Sequence, residues 1–519
     1  MRGPPTRTNF SDPSQAMTNA LTAPLLLPLG TALVCCLLVG RPSVERRVFI
    51  AASAAVQCAV AFWLAWRAFN GPPLVLPLGN WAPPLGIVLV ADALSGIMLC
   101  LSSVVSLACV LFGYAETPVE VEQPLRLPLM QLLAAGINLA FITGDLFNLF
   151  VAFEIMLVAS YALLTLEAND RDIKEAFPYL AVNIFGSSLF LIAAGMAYTV
   201  FGTLNMADIS RRAADMPGDF GALLVAVLLV VVFGIKAGIF PLYYWLPNSY
   251  PILHFSLGAF YSGMLTKVGV YVLLRMLGTV FPHTLTPIYT GLAWLAGLTM
   301  VLAVLGAVSR SFIRGILSFH IVSQIGYMVL AIGFFTPLAI GACIYYVIHH
   351  IIVKSSLFLI GGTAMYYNHT DHLPRMGGLW KASPVLGVCF LLQAFSLAGV
   401  PPLSGFWGKY LILFAGFKDG HYWLVLAALV ASILTLVSML KIWLGAFWED
   451  VPRDGTIEPQ TSGAARAMTA IVCALTTLSL AIGFGVGIFL PLAQSAADSL
   501  LDPAIYRRAV FNLTGKGAP

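Results

Sequence analysis

Charge is what this chain has least of: 10% of its 519 residues are Asp, Glu, Lys or Arg, and no Lys/Arg-rich run occurs. A formal net charge of +4, dispersed over the whole length, offers no footprint for a nucleic acid. The eight cysteines make no CxxC pair and fall mostly in apolar segments, which speaks against metal, disulfide and iron–sulfur readings and leaves them as small buried hydrophobes. The first apolar run, Leu21 to Val39, has no basic region close before it and no A-x-A site behind it, so it reads as a span rather than a cleaved signal.

What the chain has in abundance is apolar sequence, 59% of all residues. Runs of about 20 apolar residues cross a bilayer as helices, and such runs recur along this chain. The expected fold class is an all-α polytopic membrane protein of about fourteen transmembrane helices. The expected organisation is a polar tail over 1–20, helices one to three within 21–126, a first five-helix repeat over 127–277 and a second, inverted repeat over 287–447. A last helix over 467–492 and a tail over 493–519 complete it. An even number of spans puts both termini on one side. Twelve basic residues fall in one set of alternate loops and four in the other; the richer set is expected to be cytoplasmic, with both termini outside.

The stretch Val231 to Leu246, VVFGIKAGIFPLYYWL, sets Lys236 at the end of an apolar run and follows it with Gly238 and Pro241, residues that interrupt a helix. Ala237-Gly-Ile-Phe-Pro-Leu242 recurs as Ala398-Gly-Val-Pro-Pro-Leu403, 161 residues later (398 − 237). The two copies fall in the seventh and twelfth spans, which run in opposite directions. That is the arrangement of inverted repeats whose broken helices meet near the bilayer midplane.

Several ionisable residues belong to no loop: Glu154, Lys236, Lys267, Lys354 and Lys409, with Lys441 and the histidines His320, His349 and His350. An acid or lysine near a helix centre costs about 2.5–3.5 kcal/mol, so five cost roughly 12–18 kcal/mol before any pairing. Snorkelling suits Lys441, near its helix end, and suits Lys236, Lys267 and Lys354 poorly, because apolar sequence flanks each. Glu154 is either a carboxyl kept protonated by burial or the partner of a lysine; an opposed pair can load and unload a proton. His350 and Lys354, four apart, share one helix face; His349 points off it and is expected to be a satisfied buried histidine. Asp145 reads as an N-cap, Arg275 as a loop charge and His254 as interfacial. Haem and metal readings lack matched ligands.

The stretches TGDLFNLFVAFEIMLVASYALL, GIKAGIFPLYYWLP, LTKVGVY, SQIGYM, HHIIVKSSLFLIGG and FSLAGVPPLSGFWGK, in this order over roughly residues 90 to 445, resemble the D subunits of the Mrp-type multisubunit cation/proton antiporters. More broadly they resemble the antiporter-like membrane subunits of respiratory complex I and related hydrogenases. The resemblance implies a proton relay through Glu154 of the fifth helix, Lys236 of the broken seventh, Lys267 of the eighth, His350 and Lys354 of the eleventh and Lys409 of the broken twelfth. It further implies coupling to Na+ or K+ exchange, no haem, flavin, quinone or iron–sulfur group of its own, other Mrp subunits as partners, and a bacterial cytoplasmic membrane. Tyr250 departs from complex I relatives, many of which carry histidine in the equivalent loop. A redox-driven proton-pumping subunit is the alternative reading, and a non-transporting scaffold is a further one.

Overall fold

The computed structural model describes residues 18–37, 43–281, 286–452 and 462–512. Most of the tail expected over 1–20, the loop cations Arg41 and Arg453, and residues 513–519 of the expected C-terminal tail lie outside the described residues.

The helices are α1 (Ala23–Leu37), α2 (Val44–Phe69), α3 (Ala93–Glu116), α4 (Arg126–Ile142), α5 (Leu146–Thr165), α6 (Asp170–Phe201) and α7 (Met206–Ala214). They continue as α8 (Phe220–Ala237), α9 (Trp245–Ser249), α10 (Phe255–Arg275), α11 (Thr286–Ser309), α12 (Ile313–Phe334), α13 (Pro337–Asn368) and α14 (Leu379–Ala382). The last are α15 (Pro384–Ala398), α16 (Ser404–Lys418), α17 (Tyr422–Ile442), α18 (Gly463–Phe484), α19 (Val486–Leu501) and α20 (Pro503–Phe511). Among the described residues, twelve helical stretches are long and apolar enough to cross a membrane. The fourth and twelfth of the expected spans, α4 and the broken α15–α16, are shorter.

Polar side chains start many of these helices. Asp92, Asp145, Asp219 and Thr336 each accept a backbone N–H three residues on, and Asn169 forms a capping box with Asp172. The Asp92 cap places the start of the third span at Ala93, not at Gly86 as hydropathy suggests. The intervening Val88–Ala91 (β2) pairs antiparallel with Leu74–Pro77 (β1), Leu74 opposite Ala91 and Pro77 opposite Val88. An apolar run of that length reads the same to a hydropathy window whether strand or helix.

The final span differs as well. The apolar run to Leu492 is divided at Gly485, where α18 ends with the Gly485 N–H on the Ala481 carbonyl at 2.8 Å and α19 begins. The 22 residues of α18 already cover about 30 Å at 1.5 Å per residue. Residues 493–512, expected as part of a tail, are the rest of α19 and α20, which folds back on α7 through a 3.0 Å bond from Arg507 Nε to Ser210 Oγ.

The two halves are built alike and run oppositely. Helices α6 and α13 are each 32 residues long and each ends on a left-handed residue, Gly202 (φ 62) and His369 (φ 54). After α6, Leu146 N–H donates to the Leu204 carbonyl (2.8 Å) and Met206 N–H to that of Gly144 (2.9 Å). After α13, Ile313 N–H donates to Asp371 (2.9 Å) and Leu373 N–H to Ser311 (2.9 Å), the same pairing at the opposite end of the molecule. Large apolar side chains such as Phe62, Trp66, Phe185 and Ile192 are exposed on α2 and α6, as a bilayer requires, whereas α10 and α13 are enclosed by other helices.

Candidate functional site

Both helix breaks adopt one geometry. Gly238 (φ 80) donates to Gly234 (2.9 Å) and Ile235 (3.2 Å), and Ile239 N–H to Gly234 (3.0 Å). Gly399 (φ 93) donates to Phe395 (3.0 Å) and Ser396 (3.2 Å), and Val400 N–H to Phe395 (3.0 Å). Each is a Schellman termination, which needs a residue free to take positive φ, here glycine. The remaining carbonyls at each end carry the negative pole of the half-helix, a place that favours a cation.

Lys236 uses the first of these ends. It lies in the last turn of α8, 3% exposed, and its Nζ donates to Asn183 O (3.1 Å), Asn183 Oδ1 (3.4 Å) and Ser187 Oγ (3.3 Å) on α6. The ammonium also stands 5.8 Å from the Phe153 ring centroid. Glu154, the next residue on α5, is half-buried and makes no direct ion pair with Lys236. Glu154 Oε1 has no hydrogen-bond partner.

The centre of the molecule continues the line. Gly269 of α10 packs against the Lys236–Ala237 backbone so closely that an added Cβ would lie 2.6 Å from Ala237 N. Two residues before Gly269, about half a turn of helix, Lys267 is fully buried and bonds the Ser262 carbonyl of its own helix. On α13, packed against α10, Lys354 Nζ and both ring nitrogens of His350 are buried without a hydrogen-bond partner. Lys354 Nζ lies 5.9 Å from the Phe358 ring.

Lys409 takes the second half-helix end. It sits in α16 just past the break, 3% exposed, and donates to the terminal Ala398 carbonyl of α15 (3.2 Å) and to Ser432 Oγ (3.2 Å), 4.5 Å from the Tyr327 ring. Five of the six expected residues, Lys236, Lys267, His350, Lys354 and Lys409, are buried inside the helix bundle, and Glu154 is half-buried.

Two histidines belong beside them. His320 of α12 is fully buried, shares a 2.6 Å bond between Nε2 and Ser438 Oγ, and leaves Nδ1 unpartnered. His349 bonds Ser404 Oγ at 2.8 Å through Nδ1 and leaves Nε2 unpartnered, so it is only half satisfied. Asn183 and Ser187 carry no charge and give no signal of their own in the sequence; only the Lys236 contacts reveal them.

Other expectations resolve locally. Lys441 holds the carbonyls of Val308 (3.1 Å) and Arg310 (2.7 Å) at the end of α11, and His254 pairs with Glu167 at 2.7 Å. Asp145 does cap α5, through Asn148 N–H at 2.8 Å, but is buried rather than at the surface. Arg275 is no loop charge: it is 4% exposed and forms a two-bond ion pair with Asp92. Among the described residues no three His, Cys, Asp or Glu side chains stand close enough to share a metal ion.

Residues 143–435 match the family model described as NADH:quinone oxidoreductase/Mrp antiporter, transmembrane. The chain is 39% identical over 497 residues to the D subunit of the Na(+)/H(+) antiporter of Alkalihalophilus pseudofirmus, covering 95% of this chain and all of that protein. The chain belongs to the D-subunit family of Mrp antiporters. It superposes on a chain of the Mrp complex from Dietzia sp. DQ12-45-1b with a TM-score of 0.89 at 32% identity, covering 95% of this chain and 99% of that one. Similarity to a chain of respiratory complex I from Thermus thermophilus, TM-score 0.78 at 23% identity over 93% of this chain and 99% of that one, shows the shared fold alone. As a member of this family the chain is a transporter component rather than an enzyme, and a multi-pass membrane protein.

Proposed function

We propose that this protein carries protons along the buried line Glu154, Lys236, Lys267, His350, Lys354 and Lys409, coupled to Na+ or K+ exchange by a complex of Mrp subunits. The observation that carries the reading is Lys354: a fully buried ammonium nitrogen with no hydrogen-bond partner, on a helix shared with His350, whose ring nitrogens are equally unpartnered. Isolated buried cations lower stability, so their retention needs a functional reason. Like charges within reach of one another cannot all be held at once, and such a cluster takes up and gives up protons as a coupled set.

In this reading Glu154 favours a proton on Lys236. Loss of that partnership sends the proton on to Lys267, then His350 and Lys354, and finally Lys409, whose ammonium is held by a hydrogen bond to the α15 carbonyl end. Water between the side chains bridges the gaps, held by backbone groups that the helix breaks leave unpaired. His320, buried with Nδ1 unpartnered, is added to the relay as a further titratable group.

The protein resides in a bacterial cytoplasmic membrane, with the arginine-rich loops facing the cytoplasm and both termini outside; the loop charge count supports this orientation. Kinship with D subunits over nearly the whole chain favours this reading over a redox-driven pump. Replacing Lys236 or Glu154 by Ala abolishes cation-dependent ΔpH collapse in everted vesicles while the subunits still copurify. Retained activity in both variants sinks the assignment.

A further inference from the structure

One polar seam in the bundle lies off the line just described. Lys267, Tyr271 and Arg275 follow one another at four-residue intervals on α10, so they form a ladder on one helix face that climbs about 12 Å from the buried centre. Its upper end is a buried cluster. Arg275 Nη1 and Nη2 donate to Asp92 Oδ2 (2.5 Å) and Oδ1 (2.9 Å), and Nη2 also reaches the Tyr271 hydroxyl (3.1 Å) and Ser95 Oγ (3.4 Å). Tyr271 OH donates to the Phe141 carbonyl (2.6 Å), and the Tyr506 ring of α20 covers the guanidinium at 5.3 Å.

Opposite this ladder, α3 presents Ser95, Ser102 and Ser106, whose spacings of seven and four keep them on one face. The helices run antiparallel, with Ser95 beside Tyr271, Val105 against Gly263 and Gly113 against Ser256. That register sets Ser102 and Ser106 at the depth of Lys267 and Ser262. Ser102 Oγ donates to Asn138 Oδ1 at 2.8 Å, while Ser106 Oγ and, on α10, Thr266 Oγ1 are buried with no hydrogen-bond partner. Asp92 in turn lines a cavity of about 420 Å³ at the surface, together with Ser495, Ser499, Arg508 and Asn512 of the C-terminal helices.

A purely structural ion pair does not require a hydroxyl stripe leading inward from it, nor a cavity on its far side. We propose that the seam between α3 and α10 is a side branch of the relay, carrying protons between Lys267 and the cavity beside Asp92, with Asp92 as its terminal proton carrier. The proposal rests on the relay read above. A proton arriving along the serine stripe binds one Asp92 oxygen and weakens that oxygen's bond to Arg275. It then leaves to water in the cavity, and the ion pair re-forms; one proton enters and one departs, with no other bond changed. Tyr271 and Ser95 are positioning residues that hold the Arg275 donors and the water between them.

The test compares variants in everted vesicles carrying the whole complex, with copurification of the other subunits as the control for assembly. Asp92→Asn is expected to slow cation-dependent ΔpH collapse at least tenfold with the half-saturating Na+ concentration unchanged, and Asp92→Glu to restore part of the rate. Tyr271→Phe, which keeps the ion pair, is expected to slow it several-fold. Wild-type rates in assembled Asp92→Asn overturn the proposal. If Asp92→Asn does not assemble, wild-type rates in Tyr271→Phe together with Ser95→Ala overturn it. Should Lys236→Ala lose activity while these variants keep it, the branch falls and the relay stands; should Lys236→Ala keep activity, the relay falls and the branch with it.

Discussion

Gly186 and Lys236 share one volume: a methyl group on Gly186 would sit 3.6 Å from both Cε and Nζ of Lys236 and 3.2 Å from Ile235 Cγ2. The sequence around it has a double. Ser187-Ser-Leu-Phe-Leu-Ile192 recurs letter for letter as Ser355–Ile360 on α13, and the residue before each copy is Gly186 in one and Lys354 in the other. One helix leaves room for a neighbour's lysine where the other supplies its own.

Enlarging Gly186 therefore evicts Lys236. Gly186→Ala fits once Ile235 gives by a few tenths of an ångström, and retains most antiport. Gly186→Leu overfills the site at about 1–3 kcal/mol and drives the ammonium away from Asn183 and Ser187. Antiport falls at least tenfold, measured as ΔpH collapse, while the complex still assembles.

Lys354→Leu separates stability from function. The ammonium lacks a hydrogen-bond partner, so an apolar side chain of similar volume in its place is neutral or stabilising, by up to about 2 kcal/mol. The expected outcome is an unchanged or raised melting temperature of the purified complex together with loss of antiport. A melting temperature lowered by several degrees contradicts the description of Lys354 as an unsupported cation.

The helices, the two breaks and the six ionisable residues within the apolar spans are legible in the sequence because each leaves a local mark: an apolar run, a Gly–Pro pair, a charge out of place. Residues that act by contact leave none. Asn183 and Ser187 look like ordinary polar residues of a membrane helix until Lys236 is seen between them, and His320 pairs with Ser438 across 118 positions of sequence. Arg275 reads as a loop charge because a cation at a helix end normally reaches solvent, and only the fold brings Asp92, 183 residues away, against it. The bend at Gly485 is hidden by apolar sequence on both sides.

His320 is expected to matter as much as the residues that announce themselves. His320→Gln keeps a hydrogen bond to Ser438 and removes the titrating ring, and antiport drops about tenfold. Ser438→Ala frees Nε2 and changes the rate by less. Equal, wild-type rates in both variants place His320 outside the relay.

The two helix ends differ in what surrounds their glycines. Gly238→Ala costs about 1–2 kcal/mol for a positive φ, with no atom nearer than 3.7 Å to the new methyl. Gly399→Ala bears the same backbone cost, and its methyl lands 3.0 Å from Lys409 Cδ. Thermal denaturation should rank Gly399→Ala as the less stable, and only that variant should also impair antiport through displacement of Lys409.

Every residue of the most apolar stretch of α10, and of α13, is buried by protein. Lys267, His350 and Lys354 of the proposed relay are therefore enclosed on all sides by this chain's own helices. Changes at the outer face of the bundle reach them only second-hand, through flanking helices that expose large apolar side chains, such as α2, α6 and α11. The buried core of the proposed relay is accordingly insulated from whatever the outer face of the bundle meets.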